Sequence, residues 1–293
     1  MRSGRLRGNQ RGMKREEHRE TWAGQHPAVE RITDPGDSRV SAFRDIRERD
    51  LVGRQGRFIA EGKVVLDVLL SARRFPVESI LVLENRLPGL ARILSQVPTE
   101  VPIYAASSEV MDAIAGFHIH RGILALGRRR PPESAEAVLA ASPSENALVV
   151  VLIGIANHDN VGAIFRNAAA FGADAVLLDS TSCDPLYRKA TRVSVGATLK
   201  VPFAGGLTTE DLLDALDHHG FTPIALSPGG TQDIRTIERP RRVALFLGTE
   251  GDGLPGALMA KMRTARIAMA PGFDSLNVAT AAAIALHELR EKS

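Results

Sequence analysis

A single cysteine, Cys183, stands in a chain of 293 residues. That excludes an intramolecular disulfide and fits a reducing, cytoplasmic setting. No apolar run reaches the ~18 residues that a membrane-spanning helix needs. The N-terminus is basic but lacks the hydrophobic segment of a secretion signal. Neither a membrane span nor export is expected. There is no internal repeat. His118 and His120 flank a strand pattern without further metal-ligating residues, so no metal is expected. Charge is not strongly one-sided either: the formal net charge is +3 and the pI about 9.3.

What is there is a globular composition, 44% hydrophobic, with length enough for two cores. Its cations are clustered. Arg2, Arg5, Arg7, Arg11, Lys14, Arg15 and Arg19 crowd the start. Arg128, Arg129 and Arg130 stand at the expected domain boundary, and Arg239, Arg241 and Arg242 precede an apolar run. Such clusters neutralise phosphates, or simply keep tails and linkers solvated.

Residues 1–38 are polar and aperiodic and read as a disordered basic tail. Residues 39–128 read as a small α/β domain. It has helices over 43–49, 63–71, 87–94 and 108–114 and strands over 80–83, 101–104 and 123–126. Pro131 and Pro132 open a linker over 129–145. Residues 146–293 read as a second α/β domain with a mostly parallel sheet and helices on both faces. Its expected strands are 147–154, 175–179, 221–226, 243–248 and 266–270. Its expected helices are 161–171, about 186–196, 209–218, 256–262 and 277–290. A fragment lacking residues 1–130 is expected to fold and bind its ligand alone.

Three loops follow apolar strands of this second domain and carry its polar and glycine residues. Ala147–Gly154 leads into Asn157-His158-Asp159-Asn160-Val161-Gly162 and on to Arg166. Val243–Gly248 leads into Thr249-Glu250-Gly251-Asp252-Gly253-Leu254. Ile267–Ala270 leads through Pro271-Gly272 into Ser275-Leu276-Asn277 and an Ala-rich helix. In open α/β sheets, ligands bind at the carboxyl ends of strands.

In order and spacing, Asn160-x-Gly162-x-x-x-Arg166, Gly248-x-Glu250-Gly251-x-Gly253-Leu254 and Ser275-Leu276-Asn277-Val278 resemble the three motifs of the SpoU/TrmH family. These are S-adenosylmethionine-dependent RNA 2′-O-ribose methyltransferases. The resemblance covers residues 147–290. Phe58-x-x-Glu61-Gly62 also resembles part of the family's N-terminal RNA-binding domain, itself similar to a small ribosomal protein. The family likeness implies a C-terminal trefoil knot, a homodimer, RNA (ribosomal or transfer) as partner and S-adenosyl-L-methionine as cofactor. Composition and periodicity show neither knot nor dimer.

Carried over residue by residue, the likeness makes Arg166, Asn160 and Glu250 catalytic. Gly248, Ile267, Met269, Ser275, Leu276 and Asn277 become cofactor-binding. A guanidinium is too basic to accept a proton. Arg166 is therefore better suited to anchor a phosphate bidentately and to stabilise a developing alkoxide. Asn160 and Asn277 also suit helix N-caps. Arg188, Lys189 and Arg192, following Tyr187, are candidates to contact RNA together with Arg166, against a plain solvated helix face. His158 near the acceptor is a candidate base, and more often such a residue is a solvated loop histidine. Glu61 has an ordinary alternative as a neighbour of a helix N-cap.

Two other functions compete. Gly251-Asp252-Gly253-Leu254-Pro255-Gly256 fits G-x-G-x-x-G, with Asp274 at the distance of a ribose-binding acid, as in a Rossmann oxidoreductase. That motif lies too near the end of the chain for the fold and leaves Asn160–Arg166 unexplained. A non-catalytic RNA-binding protein of the same fold is disfavoured by the presence of Arg166, Glu250 and Asn277.

Overall fold

The computed structural model describes residues 29–44, 48–116, 118–143, 145–272 and 275–291. The cations of the first twenty residues, part of the expected helix 43–49, and Asp274 lie outside the described residues.

The first domain is built on a five-stranded sheet. Its strands are β1 (Val29–Ile32), β2 (Arg57–Glu61), β3 (Val77–Leu83), β4 (Ile103–Ala106) and β5 (Ile123–Arg128), in the order β1-β4-β3-β5-β2. β1 and β3 flank β4 in parallel, and β5 runs antiparallel to β2 and β3. Helices α1 (Glu48–Arg54), α2 (Lys63–Ala72), α3 (Ala91–Leu94) and α4 (Ser108–Ala115) accompany the sheet. The stretch expected to be an unstructured tail to residue 38 thus contains an edge strand, β1. Its sequence, VERI, is too charged and too short to read as a strand until β4 supplies a partner.

The second sheet has seven strands. They are β6 (Ala147–Leu152), β7 (Ala175–Asp179), β8 (Phe203–Leu207), β9 (Thr222–Leu226), β10 (Gln232–Asp233), β11 (Arg242–Leu247) and β12 (Arg263–Arg266). The order is β10-β12-β9-β11-β6-β7-β8 and every pairing is parallel. Strict alternation splits the central strands between two cores. Leu148, Val150, Leu152, Val243, Leu245 and Leu247 face one side, and Val149, Val151, Ala244 and Phe246 the other. On the first side lie α6 (His158–Ala170), α7 (Arg188–Val193), α8 (Ala197–Lys200) and α11 (Val278–Leu289). On the second lie α5 (Ala135–Ala140), α9 (Thr209–His218) and α10 (Gly256–Met259).

Several boundaries moved for physical reasons. The expected linker contains α5, capped by Ser134 and packed onto the second core through Val138 and Leu139. The helix expected over 186–196 is shorter, α7 ending at Val193, and Val195 (φ 55°) and Gly196 (φ 86°) separate it from a further helix, α8. A Cβ on Gly196 would lie 2.9 Å from Val68 Cβ on α2, so the first domain sets this break. Gly205 and Gly206 hide β8 from a periodicity search. The last strand, expected over 266–270, is paired over Arg263–Arg266 instead, between β9 and β10.

The two sheets share one apolar core. Phe75 packs edge-on against Phe58 at 5.3 Å and lies 6.4 Å from Phe203, which meets Phe165 at 5.8 Å. Arg74 lies over Phe75 and Phe203 and donates from Nη1 to the Val201 carbonyl at 2.7 Å. This continuity argues against the expectation that residues 131–293 fold alone, because a cut there would strip apolar cover from Phe165 and Phe203.

Candidate active site

β6 and β11 lie side by side at the point where the strand order reverses. Leu152 pairs with Leu247, so the loops leaving the two strands emerge together. α11 packs back against α6 and β11, which adds the third loop. Sheet order and the return of α11 therefore bring Asn160, Glu250 and Asn277 into contact across 90 and 117 residues of sequence.

The contact is a closed hydrogen-bonded triad. Asn160 Nδ2 donates to Glu250 Oε1. Asn277 Nδ2 donates to Asn160 Oδ1 at 3.0 Å and to Glu250 Oε1 at 3.1 Å. Asn277 Oδ1 meanwhile caps α11, accepting from the amides of Ala279 (2.9 Å) and Thr280 (3.3 Å). Asn160 is 5% exposed. Its expected role as cap of α6 belongs instead to Asn157, whose side chain accepts from Asp159 N–H. A buried amide must satisfy its donors and acceptor, and Asn160 does so by clamping two loops together.

Beside the triad is a cleft lined by Gly248, Thr249, Glu250, Ile267, Met269, Ser275 and Leu276, with Leu226, Leu247 and Val278. Five of the six expected cofactor residues line it, and the sixth, Asn277, holds its rim. Ile267 and Met269 are half-buried while Ala268 and Ala270 are exposed. The apolar run expected to be a strand thus serves the cleft, and of residues 266–270 only Arg266 joins a ladder. Leu276 remains 41% exposed at the cleft. A Cβ on Gly248 would lie 2.4 Å from Gly253 C, so only glycine allows the loop to fold back upon itself. Gly253 takes the left-handed conformation (φ 69°), whereas a Cβ on Gly251 would meet nothing within 4 Å.

The glycine-rich stretch 251–256 opens only the four residues of α10. This is a poor match to a dinucleotide fold, whose phosphate-binding loop opens a long helix after the first strand.

Arg166 is exposed on α6, six residues beyond Asn160, and does not line the cleft. Its guanidinium makes no hydrogen bond or ion pair to the described residues. Gly162 lies against α7, where a Cβ would come 2.7 Å from the Ala190 carbonyl. The three cations of α7 are each opposed by a carboxylate. Arg188 Nε and Arg192 Nη1 lie 3.9 and 3.7 Å from Glu61 Oε2, and Lys189 Nζ lies 2.7 Å from Asp159 Oδ2. Glu61 belongs to the first domain and is 5% exposed. It is not the locally satisfied cap neighbour that sequence allowed, but a buried anion in the seam. His158 stacks edge-on against Tyr187 at 4.7 Å.

Asp179, at the end of β7, is a structural carboxylate. Burial opposes its ionisation. Hydrogen bonds from the Ser182 and Thr181 hydroxyls and from the amides of Gly154 and Ser182 outweigh that and hold it below the usual range. Cys183, beside it, is pushed up to about 12 by burial and the neighbouring Asp184 charge. His118 is engaged by Asp112 at 2.7 Å.

Among the described residues no helix is long and apolar enough to cross a membrane. Residues 147–287 match the model of the SpoU rRNA methylase family. An uncharacterized tRNA/rRNA methyltransferase of Mycobacterium bovis is 40% identical over 278 residues, covering 90% of this chain and 93% of its own. An RNA 2′-O ribose methyltransferase of known structure is 28% identical, with a TM-score of 0.70 over 88% of this chain and 97% of its own. An AdoMet-bound rRNA methyltransferase from Sinorhizobium meliloti, 24% identical, shares the fold with a TM-score of 0.74 over 89% of this chain and 97% of its own.

Proposed function

From the premise that this chain belongs to the SpoU rRNA methylase family of RNA methyltransferases, we propose that it transfers a methyl group from S-adenosylmethionine to a ribose 2′-hydroxyl of structured RNA. The observation that carries the reading is the triad of Asn160, Glu250 and Asn277 at the rim of an apolar, glycine-walled cleft.

The cleft suits the cofactor chemically. An adenine needs flat apolar walls and backbone polar groups at its edge, and Ile267, Met269 and Leu276 beside the 248–253 loop provide both. When bound, the cofactor supplies an activated methyl on a good leaving group. The protein's share is alignment and charge. Asn160 and Asn277 fix Glu250, and Glu250 holds the 248–253 and 275–277 loops in register at the cleft. Arg166 offers a planar fork of donors to the phosphate next to the acceptor and stabilises charge developing on the 2′-oxygen. Since Arg166 stands on the outer surface of α6, it serves RNA arriving from outside the cleft. It is compatible with a site completed by a second copy, as in the homodimer implied by the family. Lys189 and Arg192, with side chains 50% and 40% exposed, are placed to add phosphate contacts. Arg188, at 21%, is chiefly a seam residue.

Methylation maps of ribosomal and transfer RNA from cells with and without the protein test the reading and name the target. Loss of a single ribose methylation is expected. Loss of a base methylation with all ribose sites intact would overturn the 2′-oxygen as acceptor. Calorimetry with S-adenosylhomocysteine and NAD tests the cofactor, and tight NAD binding without a response to the former would end the methyltransferase assignment.

A further inference from the structure

On the far side of the second sheet, three side chains with metal-binding atoms converge. Glu136 stands in the first turn of α5. His218 is the last residue of α9, and His219 caps that helix. Glu136 Oε2 lies 2.6 Å from His219 Nε2 and 3.4 Å from His218 Nδ1, and the three ligand atoms all lie within 4.8 Å of one another. The imidazole rings are 5.1 Å apart. Phe221 and β9 follow directly, so the cluster sits at the amino end of the strands, whereas the cleft lies at their carboxyl ends.

We propose that Glu136, His218 and His219 form a zinc-class divalent cation site that clips α5 to α9. Two imidazoles and one carboxylate are a ligand set that zinc accepts, with water in the fourth position. Bonds of about 2.0–2.2 Å in a tetrahedron put ligand atoms roughly 3.3–3.5 Å apart. The Glu136–His218 separation already has that value. The Glu136–His219 separation, 2.6 Å, opens by less than 1 Å to admit the cation. His219 is mostly buried (side chain 19% exposed) and sets the geometry, while His218 is 75% exposed and leaves the site open to solvent. The distance from the cleft gives the cation a bracing role, holding the segment between the domains against the catalytic sheet.

Calorimetric titration of the dialysed full chain with zinc chloride, and thermal melts with and without zinc, test the proposal. One site with saturable binding is expected, together with a rise in melting temperature that a chelator reverses. His219→Ala and Glu136→Gln should each lower affinity by more than the roughly 10–100-fold that loss of an outer partner costs. His118→Ala, on the other histidine pair, should change nothing. Absence of saturable zinc binding would overturn the proposal, as would zinc binding unaffected by His219→Ala and Glu136→Gln. Circular dichroism of the metal-free variants separates lost ligation from lost folding.

Discussion

Asn277 joins the cleft, the last helix and the buried amide of Asn160, and replacing it perturbs each link by a different amount. Asn277→Ala removes the cap of α11, worth about 1 kcal/mol. It also withdraws the donor from Asn160 Oδ1, in a side chain that is 5% exposed. A buried carbonyl left without its donor costs roughly 1–3 kcal/mol. The expected loss is therefore about 2–4 kcal/mol, or several degrees in melting temperature at ~2–4 °C per kcal/mol. Asn277→Asp divides the terms. An aspartate caps as well as asparagine and favours the positive end of the helix. It nevertheless places an oxygen where Nδ2 now faces Asn160 Oδ1 at 3.0 Å and Glu250 Oε1 at 3.1 Å. Repulsion between the carboxylates runs from roughly 1 kcal/mol if fully solvated to about 5 kcal/mol at a surface dielectric near 20. The introduced carboxyl then takes up a proton more readily folded than unfolded. Its penalty is accordingly small below the unfolded value, about 3.9, and grows as pH rises through the higher folded value. Urea unfolding at pH 5 and pH 8, with S-adenosylmethionine titration at pH 8, reads both effects. The Asp variant should lie nearer wild type at pH 5 and fall further behind at pH 8, with weakened cofactor binding. An Ala variant with the wild-type midpoint, or an Asp variant whose deficit ignores pH, would refute the reasoning.

Arg166→Ala should abolish methyl transfer while changing cofactor affinity little, and Arg166→Lys should not restore it, because an ammonium lacks the bidentate fork; a matched loss of cofactor affinity would place Arg166 in the cleft. Glu61→Gln should cost about 1–3 kcal/mol in urea unfolding, less than the 3–5 kcal/mol of a fully buried broken pair, because the Arg192 side chain is 40% exposed. It should also steepen the salt dependence of RNA binding as the arginines become available to phosphate. A fragment starting at residue 131 should aggregate or melt well below the full chain, since Phe165 and Phe203 lose their cover from Phe75 and Phe58; a cooperative melt at the full-length temperature would show that the shared core is dispensable. Cys183, with its thiol raised to about 12, should resist iodoacetamide at pH 8 until the chain unfolds. The same shift leaves stability untouched below pH ~9 and lowers it as pH rises from there toward 12, where the unfolded thiol ionises and the buried one does not; rapid alkylation of the native protein at pH 8 would contradict the burial.

The chain by itself determined the two central strands, because runs such as ALVVVL and VALFL are apolar at every position and suit only strands covered on both faces. It also determined which loops carry the chemistry, since Asn160, Glu250 and Asn277 each follow such a run or open an Ala-rich helix. Local sequence could not say that these three side chains bond to one another. Only the strand order decides that, by seating β11 beside β6 and returning α11 across them. For the same reason Asn160 was legible as polar and helix-initial, but not as a buried clamp, and the capping went to Asn157. Tertiary packing likewise placed Val195 and Gly196 in left-handed conformations against Val68, turned Ile267 and Met269 from a sheet toward a cleft, and set Glu61 opposite the arginines of α7. Periodicity records how deeply a residue is buried. The partner that a buried polar group or a glycine meets there is fixed by segments distant in sequence, which no local pattern encodes.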